Sequence, residues 1–369
     1  MATTSDDLNA HVVLGVDTHG RTHHAAVIDR LGRHLGDAEF PVSSTGYRRL
    51  LAWAQQHGTV ASAGVEGTGS YGTGLARYLR SAGVTVSEVN RPDRSTRRMA
   101  GKSDPLDAYA AARAVLNGSA ASAPKSRAGA TEAIRVLRVT RRGAVKARTQ
   151  AINQLRALIV TAPEELRERL AGLSAAALTR ACARLSSGTM GGELAGLPDP
   201  APAAVRTALR RLARRYRQLS GEIAELDAEI TPLIQAAAPK LLALQGAGPQ
   251  AAGQLLATAG DNPDRLRSEA SFAHLCGVAP IPASSGRTRR HRLSHSGDRA
   301  ATNALYTIVL TRLRHDPRTR AYLARRTAEG LSKKEIIRCL IGGLSVSRPG
   351  HARRGSPAAL GDGLVAEPL

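Results

Sequence analysis

The chain has 369 residues, of which 42% are hydrophobic and only 3% aromatic, and it carries a formal net charge of +22. This length allows two or three domains with hydrophobic cores. So few aromatic side chains argue against a surface that recognises single-stranded bases mainly by stacking. No apolar run approaches the roughly 18 residues of a membrane-spanning helix, and the N-terminus lacks a signal pattern. We therefore expect a cytoplasmic protein that does not enter the membrane.

The positive charge is unevenly distributed along the chain. Residues 1–120 contain 13 basic and 11 acidic residues, a net charge of +2, so residues 121–369 carry the remaining +20. A GC-rich genome, which favours Ala, Gly and Arg, contributes to the excess but does not explain why it is one-sided. The distribution predicts a polyanion-binding part beside a part with another role. The cysteines are isolated and indicate neither a zinc site nor a disulfide framework; they are Cys182, Cys276 and Cys339.

The first 90 residues predict a mixed α/β domain. Apolar runs separated by short turns that contain glycine are typical of an antiparallel meander, here of three strands. A helix, a strand, a second helix and a last strand follow. This is the order of a ribonuclease-H-like fold, with carboxylates at the strand ends. The expected strands are 11–16, 22–28, 34–42, 60–65 and 84–89, and the expected helices are 43–56 and 71–80.

Four carboxylates stand at the ends of these elements. Asp17 follows the first apolar strand and Glu66 follows the fourth, and these two strands are neighbours in such a sheet. Asp104 and Asp107 open a helical segment and share one face of it, because they are three residues apart. Carboxylates at the tips of buried strands are costly unless they are paired or bound to metal. Oxygen ligands of this kind suit Mg²⁺ or Mn²⁺, and two such ions can clamp a phosphodiester.

Asp104 and Asp107 also have an ordinary structural interpretation. Pro105 suits the first turn of a helix, so Asp104 could be a simple N-cap and Asp107 an acid favoured by the helix dipole. For these two residues alone the two interpretations are equally good. All four acids together favour a site for divalent metal.

The middle of the chain predicts long helices. A helix over 131–160 carries basic residues almost without acids, which favours contact with phosphates over a merely solvated face. Residues 171–203, rich in Ala, Gly, Ser and Pro, are expected to be loosely ordered or short-helical. Two interleaved heptad series then predict a coiled coil, with a single helix packed on its own domain as the alternative. The series are Val205, Leu212, Leu219, Leu226 and Leu233, and Leu209, Tyr216, Ile223 and Ile230.

Two glycine-containing turns follow the heptads. The segment 241–256 is typical of a helix-hairpin-helix, whose turn at Gly246 and Gly248 could bind phosphate or could simply cap a helix. Further on, Ser284 and Ser285 precede Gly286 and a run of arginines from residue 287. These serines fit either an ordinary polar turn or a nucleophile whose attacked phosphate is held by cations.

Several short stretches, taken in order, form a specific set. They are residues 15–19, 65–72, 89–92, 101–108, 255–261, 275–280, 285–286 and 296–298. The set resembles the DEDD-motif transposases of the insertion sequence 110 family, which are relatives of the pilin-gene invertases. The resemblance runs from about residue 11 to about residue 340.

The resemblance implies a function and a site. Asp17, Glu66, Asp104 and Asp107 would bind Mg²⁺ or Mn²⁺ in a domain like the Holliday-junction resolvases, and Ser285 would join transiently to a DNA phosphate. The adjacent Ser284 leaves that choice open. The family also implies donor and target DNA, a structured noncoding guide RNA that pairs with both, and homodimers that assemble into a tetramer.

The expected organisation has four parts. The last of them departs from the family pattern, because the closing helix is followed by Gly/Pro/Ala-rich sequence, which suggests an altered and disordered tail. Three other functions stay open: a resolvase-like nuclease that needs no serine, a sugar kinase or actin-like ATPase, and a nucleic-acid-binding remnant without activity. The parts are a ribonuclease-H-like catalytic domain over 11–120, a basic coiled-coil region over 131–237, a mainly helical transposase domain with the helix-hairpin-helix over 238–344, and a tail over 345–369.

Overall fold

A computed structural model describes residues 11–89, 103–120, 122–186, 199–262, 266, 268–286, 291–294 and 296–345. The chain divides into two compact units. The first comprises Met1–Arg127 and Gly260–Arg267, and the second comprises Ala128–Ala259 and Ser268–Leu369. The tail beyond residue 345 lies outside the described residues, and so do Arg287, Arg289 and Arg290 of the arginine run. Within the described part of the chain, no helix has the length and apolar character to cross a membrane.

The first unit is built on a five-stranded mixed sheet with the strand order β3-β2-β1-β4-β5. β2 pairs antiparallel with both β1 and β3, β4 pairs parallel with β1, and β5 pairs parallel with β4. This confirms the mixed α/β sheet expected from the sequence, and the boundaries differ from the expected ones by at most two residues. The elements are β1 His11–Thr18, β2 Thr22–Ile28, β3 His34–Pro41, α1 Ser44–Gln55, β4 Thr59–Glu66, α2 Thr73–Ser81, β5 Thr85–Val89 and α3 Asp104–Leu116.

The two faces of this sheet carry different helices. Alternate residues of β1, beginning with Val12, join a core cluster with residues of α1 and α2. The other face packs on α3, where Val13 of β1 is in a cluster with Ala108 and Ala112. Because side chains alternate along a strand, Asp17 lies on the same face as Val13, which is the α3 face.

Two glycines allow α3 to lie against the sheet. Gly15 of β1 and Gly64 of β4 are paired in register. A Cβ atom on Gly15 would stand 2.0 Å from the carbonyl oxygen of Ala108, and one on Gly64 would stand 2.4 Å from that of Ala111. No larger side chain fits between sheet and helix here. The close approach brings the first turn of α3, with its acids, to the ends of β1 and β4.

Gly64→Ala should therefore destabilise the first unit. The added methyl overlaps the backbone of α3, and overpacking of this kind costs about 2–3 kcal/mol. Gly143→Ala is the matched control, because a Cβ there meets nothing within 4 Å and the φ angle is not positive. The control should stabilise its helix by about 0.5–1 kcal/mol. Urea unfolding of both variants measures the difference, and equal stabilities would contradict the close approach of α3.

The second unit is helical, as expected, and contains two long helices, α4 over Gly129–Val160 and α7 over Ala201–Ala237. They run antiparallel. Arg141 in the first half of α4 pairs with Asp227 in the second half of α7. Leu155 in the second half of α4 shares a core cluster with Leu209 in the first half of α7. Two short helices complete that cluster, α5 over Glu164–Leu170 and α6 over Ala175–Ala183.

The two heptad series of α7 have different surroundings. In one series Leu209, Ile223 and Ile230 are buried. The other series, from Val205 to Leu233, is half-buried throughout. One stripe of α7 is thus covered by α4 and its neighbours in the same chain, which is the alternative that the sequence left open. Pairing with a second copy stays a prediction.

The rest of the second unit consists of short helices and a two-stranded sheet. The turn predicted between two helices is present, with Gly246 at φ +87° between α8 and α9. The elements are α8 Pro239–Ala243, α9 Pro249–Ala259, α10 Glu269–Leu275, β6 Pro280–Pro282, β7 His291–Leu293, α11 Arg299–His315, α12 Pro317–Ala328 and α13 Lys333–Ser345.

Candidate active site

Three side chains meet at the end of β1 in the first unit. One ligand atom from each of Asp17, His19 and Asp104 lies within 4.8 Å of those of the other two. Asp17 is buried with 6% of its surface exposed, whereas His19 and Asp104 are exposed. The Nδ1 atom of His19 stands 3.8 Å from Oδ2 of Asp17. The cluster thus has one fixed, buried carboxylate and two ligands that solvent can reach.

The other two predicted acids lie on α3 and at the end of β4, the strand beside β1. Asp107 lies one helical turn after Asp104 on α3, is half-buried, and acts electrostatically on Asp17. Glu66 ends β4 one position after Val65, which pairs in register with Val16. The hydroxyl of Thr18 donates a 2.9 Å hydrogen bond to the backbone carbonyl of Glu66 and ties the two strand ends together. Neither Asp107 nor Glu66 belongs to the group within 4.8 Å.

The electrostatics of Asp17 favour a bound cation. Burial raises the pKa of its carboxyl group, the imidazole of His19 lowers it, and the negative charges of Asp107 and Asp104 raise it further. A carboxylate whose ionisation is opposed by burial and by like charges is stabilised when a cation binds. The carboxylate oxygens suit Mg²⁺ or Mn²⁺, whereas an imidazole ligand suits later transition metals. The residues present fit a divalent metal, and binding would release protons.

The start of α3 differs from the expected N-cap. Ser103 occupies the cap position, with extended backbone angles of φ −151° and ψ 151°, and Asp104 is the first helical residue. The interpretation of Asp104 as the cap residue is therefore wrong. The physical reason is that the chain enters the helix one residue earlier, with Pro105 at the second helical position instead of the first. The carboxylate of Asp104 then lies beside Asp17.

Ser285 lies in the second unit, in the connection between β6 and β7. These strands pair antiparallel, with Pro280 opposite Leu293. Ser284 and Ser285 are both exposed, and Gly286 follows with φ +55°, a conformation that glycine adopts without strain. An exposed hydroxyl at a hairpin tip can reach a macromolecular substrate. Of the arginines predicted beside it, Arg292 is exposed on β7, whereas Arg287, Arg289 and Arg290 lie outside the described residues.

Comparisons with known proteins match both units. A family model for the DEDD transposase of IS110 elements matches residues 14–162, and one described as transposase IS116/IS110/IS902 family matches residues 238–324. The chain belongs to the IS110 family of transposases. The resemblance seen in the sequence is therefore confirmed, and the first of these matches includes all four predicted acids.

Two relatives extend the IS110-family match. The chain is 30% identical over 226 residues to a probable family 20 transposase of Pseudomonas aeruginosa, covering 60% of this chain and 63% of the relative. It is 29% identical over 137 residues to the insertion element IS900 uncharacterized 42 kDa protein of Mycobacterium paratuberculosis. That match covers 36% of this chain and 34% of the relative. The matches span less than two thirds of either relative.

The structure adds residues that sequence reasoning missed in this IS110-family chain. His19 lies in the motif at residues 15–19 and was not among the predicted site residues, but it is part of the candidate ligand group. Its position two residues after Asp17 was a usable signal, because such residues share a face of an extended strand. Gly15 and Gly64 were also passed over. Each stands two residues before a predicted acid, and that repeated Gly-x-acid spacing marks where α3 crosses both strands.

A cluster of arginines lines a cavity of about 420 Å³ in the second unit. Arg169 of α5, Arg184 at the end of α6 and Arg206 of α7 meet there, beside Leu170 and Leu185. Within the described part of the chain, no carboxylate lines the cavity and none of the three arginines has an ion-pair partner. Three like charges at one cavity repel each other, so this arrangement is stabilised by binding a polyanion such as a nucleic-acid backbone.

Proposed function

We propose that this chain recombines DNA by metal-dependent phosphodiester transfer for the mobility of an insertion sequence. Asp17, Glu66, Asp104 and Asp107 are the proposed ligands of Mg²⁺ or Mn²⁺, and Ser285 is the proposed nucleophile. The observation that carries the proposal is the close approach of Asp17, His19 and Asp104 in a chain of this family. The strand order and the acids at the strand ends support a ribonuclease-H-like catalytic domain over residues 11–120.

The proposed chemistry conserves the number of phosphodiester bonds. The Oγ atom of Ser285 attacks a DNA phosphorus, a serine–phosphate ester forms, and the bond to one deoxyribose oxygen breaks. A hydroxyl group of another strand then attacks the ester and releases the serine. A divalent metal supplies a Lewis acid for the charge that develops on phosphate oxygens. Asp17, Glu66, Asp104 and Asp107 would hold that cation, with Asp17 as the buried ligand.

The basic second part of the chain supports a nucleic-acid partner. Residues 121–369 carry a net charge of +20, and the long helix α4 presents exposed cations such as Arg142, Lys146 and Arg156. We propose that residues 131–237 and 238–344 bind donor and target DNA together with a structured guide RNA. The half-buried heptad series of α7 supports a homodimer, from which a tetramer could form.

Purified protein tests this function directly. RNA that co-purifies is sequenced, and DNA substrates that match it are tested for strand exchange with Mg²⁺ and with EDTA. We expect a specific RNA and Mg²⁺-dependent recombination. Recombination without any specific RNA would overturn the guided model, and salt-sensitive binding without strand breakage would support an inactive remnant.

A resolvase-like nuclease is the second candidate, because the ligand cluster at Asp17 is sufficient for metal-dependent hydrolysis. Such an enzyme needs no serine. A covalent protein–DNA adduct, trapped by denaturing the reaction mixture, would exclude it. Cleaved DNA with no adduct at any time point would favour it over the recombinase.

The arginine cavity makes a prediction about salt dependence. Arg184→Gln should weaken DNA and RNA binding uniformly across sequences and lower the slope of log affinity against log salt by about one unit, as expected for one lost phosphate contact. Arg180→Gln on the same short helix removes an equal charge outside the cavity. Filter binding or fluorescence anisotropy at several salt concentrations measures both, and equal changes of slope would show that only net charge matters.

A further inference from the structure

A second cavity, of about 520 Å³, lies between α11 and α13 in the second unit. One wall is a face of α11, on which Arg299, Asn303 and Tyr306 are spaced at helical intervals. The opposite wall is a face of α13, formed by Lys334, Arg338 and the buried side chains of Ile337 and Ile341. The volume lies in the range of small-molecule sites. None of these residues belongs to the tetrad or the serine loop.

The base of the cavity is built from two glycine motifs that no function has yet explained. A Cβ atom on Gly297 would stand 2.0 Å from the backbone nitrogen of Gly277, so the two loops are in direct backbone contact. The backbone N–H of Asp298 donates a 2.8 Å hydrogen bond to the carbonyl of Leu275. Thr302 donates a 2.7 Å hydrogen bond to the carbonyl of Cys276. These contacts hold the floor in place.

The start of α11 is also held from the side. Asp298 caps the helix by accepting a 2.8 Å hydrogen bond from the backbone N–H of Ala300. Its other carboxylate oxygen accepts a 2.7 Å hydrogen bond from the hydroxyl of Thr258 on α9. Arg299 directly follows Asp298, so its position is set by the hydrogen bonds of Asp298 to α11 and to α9. These hydrogen bonds join α11 to α9 and to the end of α10 at Leu275 and Cys276, so the cavity wall is held by contacts between separate elements.

The lining has the chemistry of a nucleotide site. Arg299, Lys334 and Arg338 are exposed cations. Among the described residues, no carboxylate lines the cavity and none forms an ion pair with any of these three cations. Cations suit a phosphate, whereas the buried isoleucines and the ring of Tyr306 suit the faces of a flat, weakly polar ring system. Asn303 offers both a donor and an acceptor to a base edge. A simple anion site would not need the apolar wall.

We propose that this cavity receives one unstacked nucleotide of a bound single strand, an assignment that rests on the nucleic-acid function proposed above. The base lies against Tyr306 and the isoleucines, and its phosphate lies at Arg299, Lys334 and Arg338. Unpaired bases are recognised in this way, by an aromatic ring and a cationic groove. A single tyrosine suffices for one nucleotide, which is compatible with a chain of only 3% aromatic residues.

Titration of the full-length protein with adenosine 5′-monophosphate in EDTA tests the site. We expect saturable binding at least tenfold tighter than that of inorganic phosphate or of adenosine. Tyr306→Leu should weaken it about tenfold, the usual loss when one base–aromatic contact is removed. Lys334→Gln should weaken it several-fold. Binding of inorganic phosphate as tight as that of the nucleotide would overturn the base-binding part.

Two matched variants control for folding and charge. Tyr322→Leu removes a tyrosine from the neighbouring helix α12, and Lys333→Gln removes a lysine adjacent to Lys334; neither residue lines the cavity. Both should leave the nucleotide affinity within twofold of the original. If they weaken binding as much as Tyr306→Leu and Lys334→Gln do, the cavity is not the site.

Competition distinguishes the source of the nucleotide. Single-stranded RNA or single-stranded DNA should displace the mononucleotide, and the stronger competitor identifies the natural strand. A duplex of the same length that displaces it equally well would contradict an unstacked base. Because the titration needs neither metal nor strand exchange, it can succeed when recombination fails, and recombination can occur when this site binds nothing.

Discussion

Asp17→Asn should abolish strand cleavage and recombination, with a loss of at least about a thousandfold, because metal-ion stabilisation of a phosphoryl transition state is worth several kcal/mol. Asp17 is the buried member of the cluster, and its position is set by β1. Asparagine keeps the shape and removes the charge that holds the cation. Gel assays of DNA cleavage with Mg²⁺ and with Mn²⁺ measure the loss.

Asp29→Asn is the matched control within the same unit. Asp29 is also buried, but its partner is Arg33, whose guanidinium contacts it at 2.5 Å. Burial opposes ionisation of this carboxyl group, yet hydrogen bonds from Arg33 and Leu31 outweigh it, and the pKa is lowered. The control should therefore lose stability at neutral pH and keep its metal-dependent activity. Equal activity of Asp17→Asn and Asp29→Asn would refute the metal site.

Asp17→Asn should raise the stability of the protein, although it abolishes activity. The pKa of Asp17 is raised by burial first and by Asp107 and Asp104 among the charges. Ionisation then costs folding free energy, a cost that is absent below the pKa of the unfolded chain and fully present above that of the folded chain. Asp17→Asn should thus unfold at a higher temperature than the original protein in EDTA at pH 7. Adding Mg²⁺ should raise the unfolding temperature of the original protein but not that of Asp17→Asn.

Ser285→Ala should eliminate the covalent protein–DNA adduct and, with it, strand exchange. No other group of the substituted residue can form the serine–phosphate ester, so the expected activity is at or below detection. Denaturing gels of protein incubated with labelled DNA reveal the adduct, and product analysis measures the exchange. The substitution removes one exposed hydroxyl at a hairpin tip, so the thermal stability should not change.

Ser284→Ala controls for the neighbouring hydroxyl. It should retain the adduct and recombine within a few-fold of the original protein. A reversed result, with Ser284→Ala inactive and Ser285→Ala active, would transfer the nucleophile to Ser284. Normal exchange by both single variants would remove this loop from the proposed mechanism and leave the metal cluster as the candidate for the chemistry.

Much of the first unit could be predicted because its signals are local. Strand and helix periods, and glycine at short turns, are properties of neighbouring residues, and the observed elements begin and end within two residues of those expected. The one-residue error at Asp104 arose at a helix start. Ser103 and Asp104 are both good cap residues, and only the path of the incoming chain decides which of them caps.

The heptads of α7 show that sequence periodicity does not predict which helix covers an apolar stripe. Val205, Leu209 and the residues that repeat them specify two apolar stripes, but a stripe does not specify the partner that covers it. The structure shows that α4 of the same chain packs antiparallel to α7, as the pair formed by Arg141 and Asp227 indicates. Such pairing joins residues that are 86 positions apart, a separation at which sequence periodicity carries no information.

The sequence by itself determined the family, the mixed sheet and the four acids at the ends of its elements. Motifs and hydrophobic periods are properties of residues that are close together in the chain, so they can be recognised without the tertiary structure. Only the tertiary structure decided that His19 joins Asp17 and Asp104, that Gly15 and Gly64 let α3 approach the sheet, and that Gly277 and Gly297 form the floor of a cavity. Each of these is a contact between distant segments. Such contacts depend on the exact path of the backbone, where a single Cβ atom would prevent the approach.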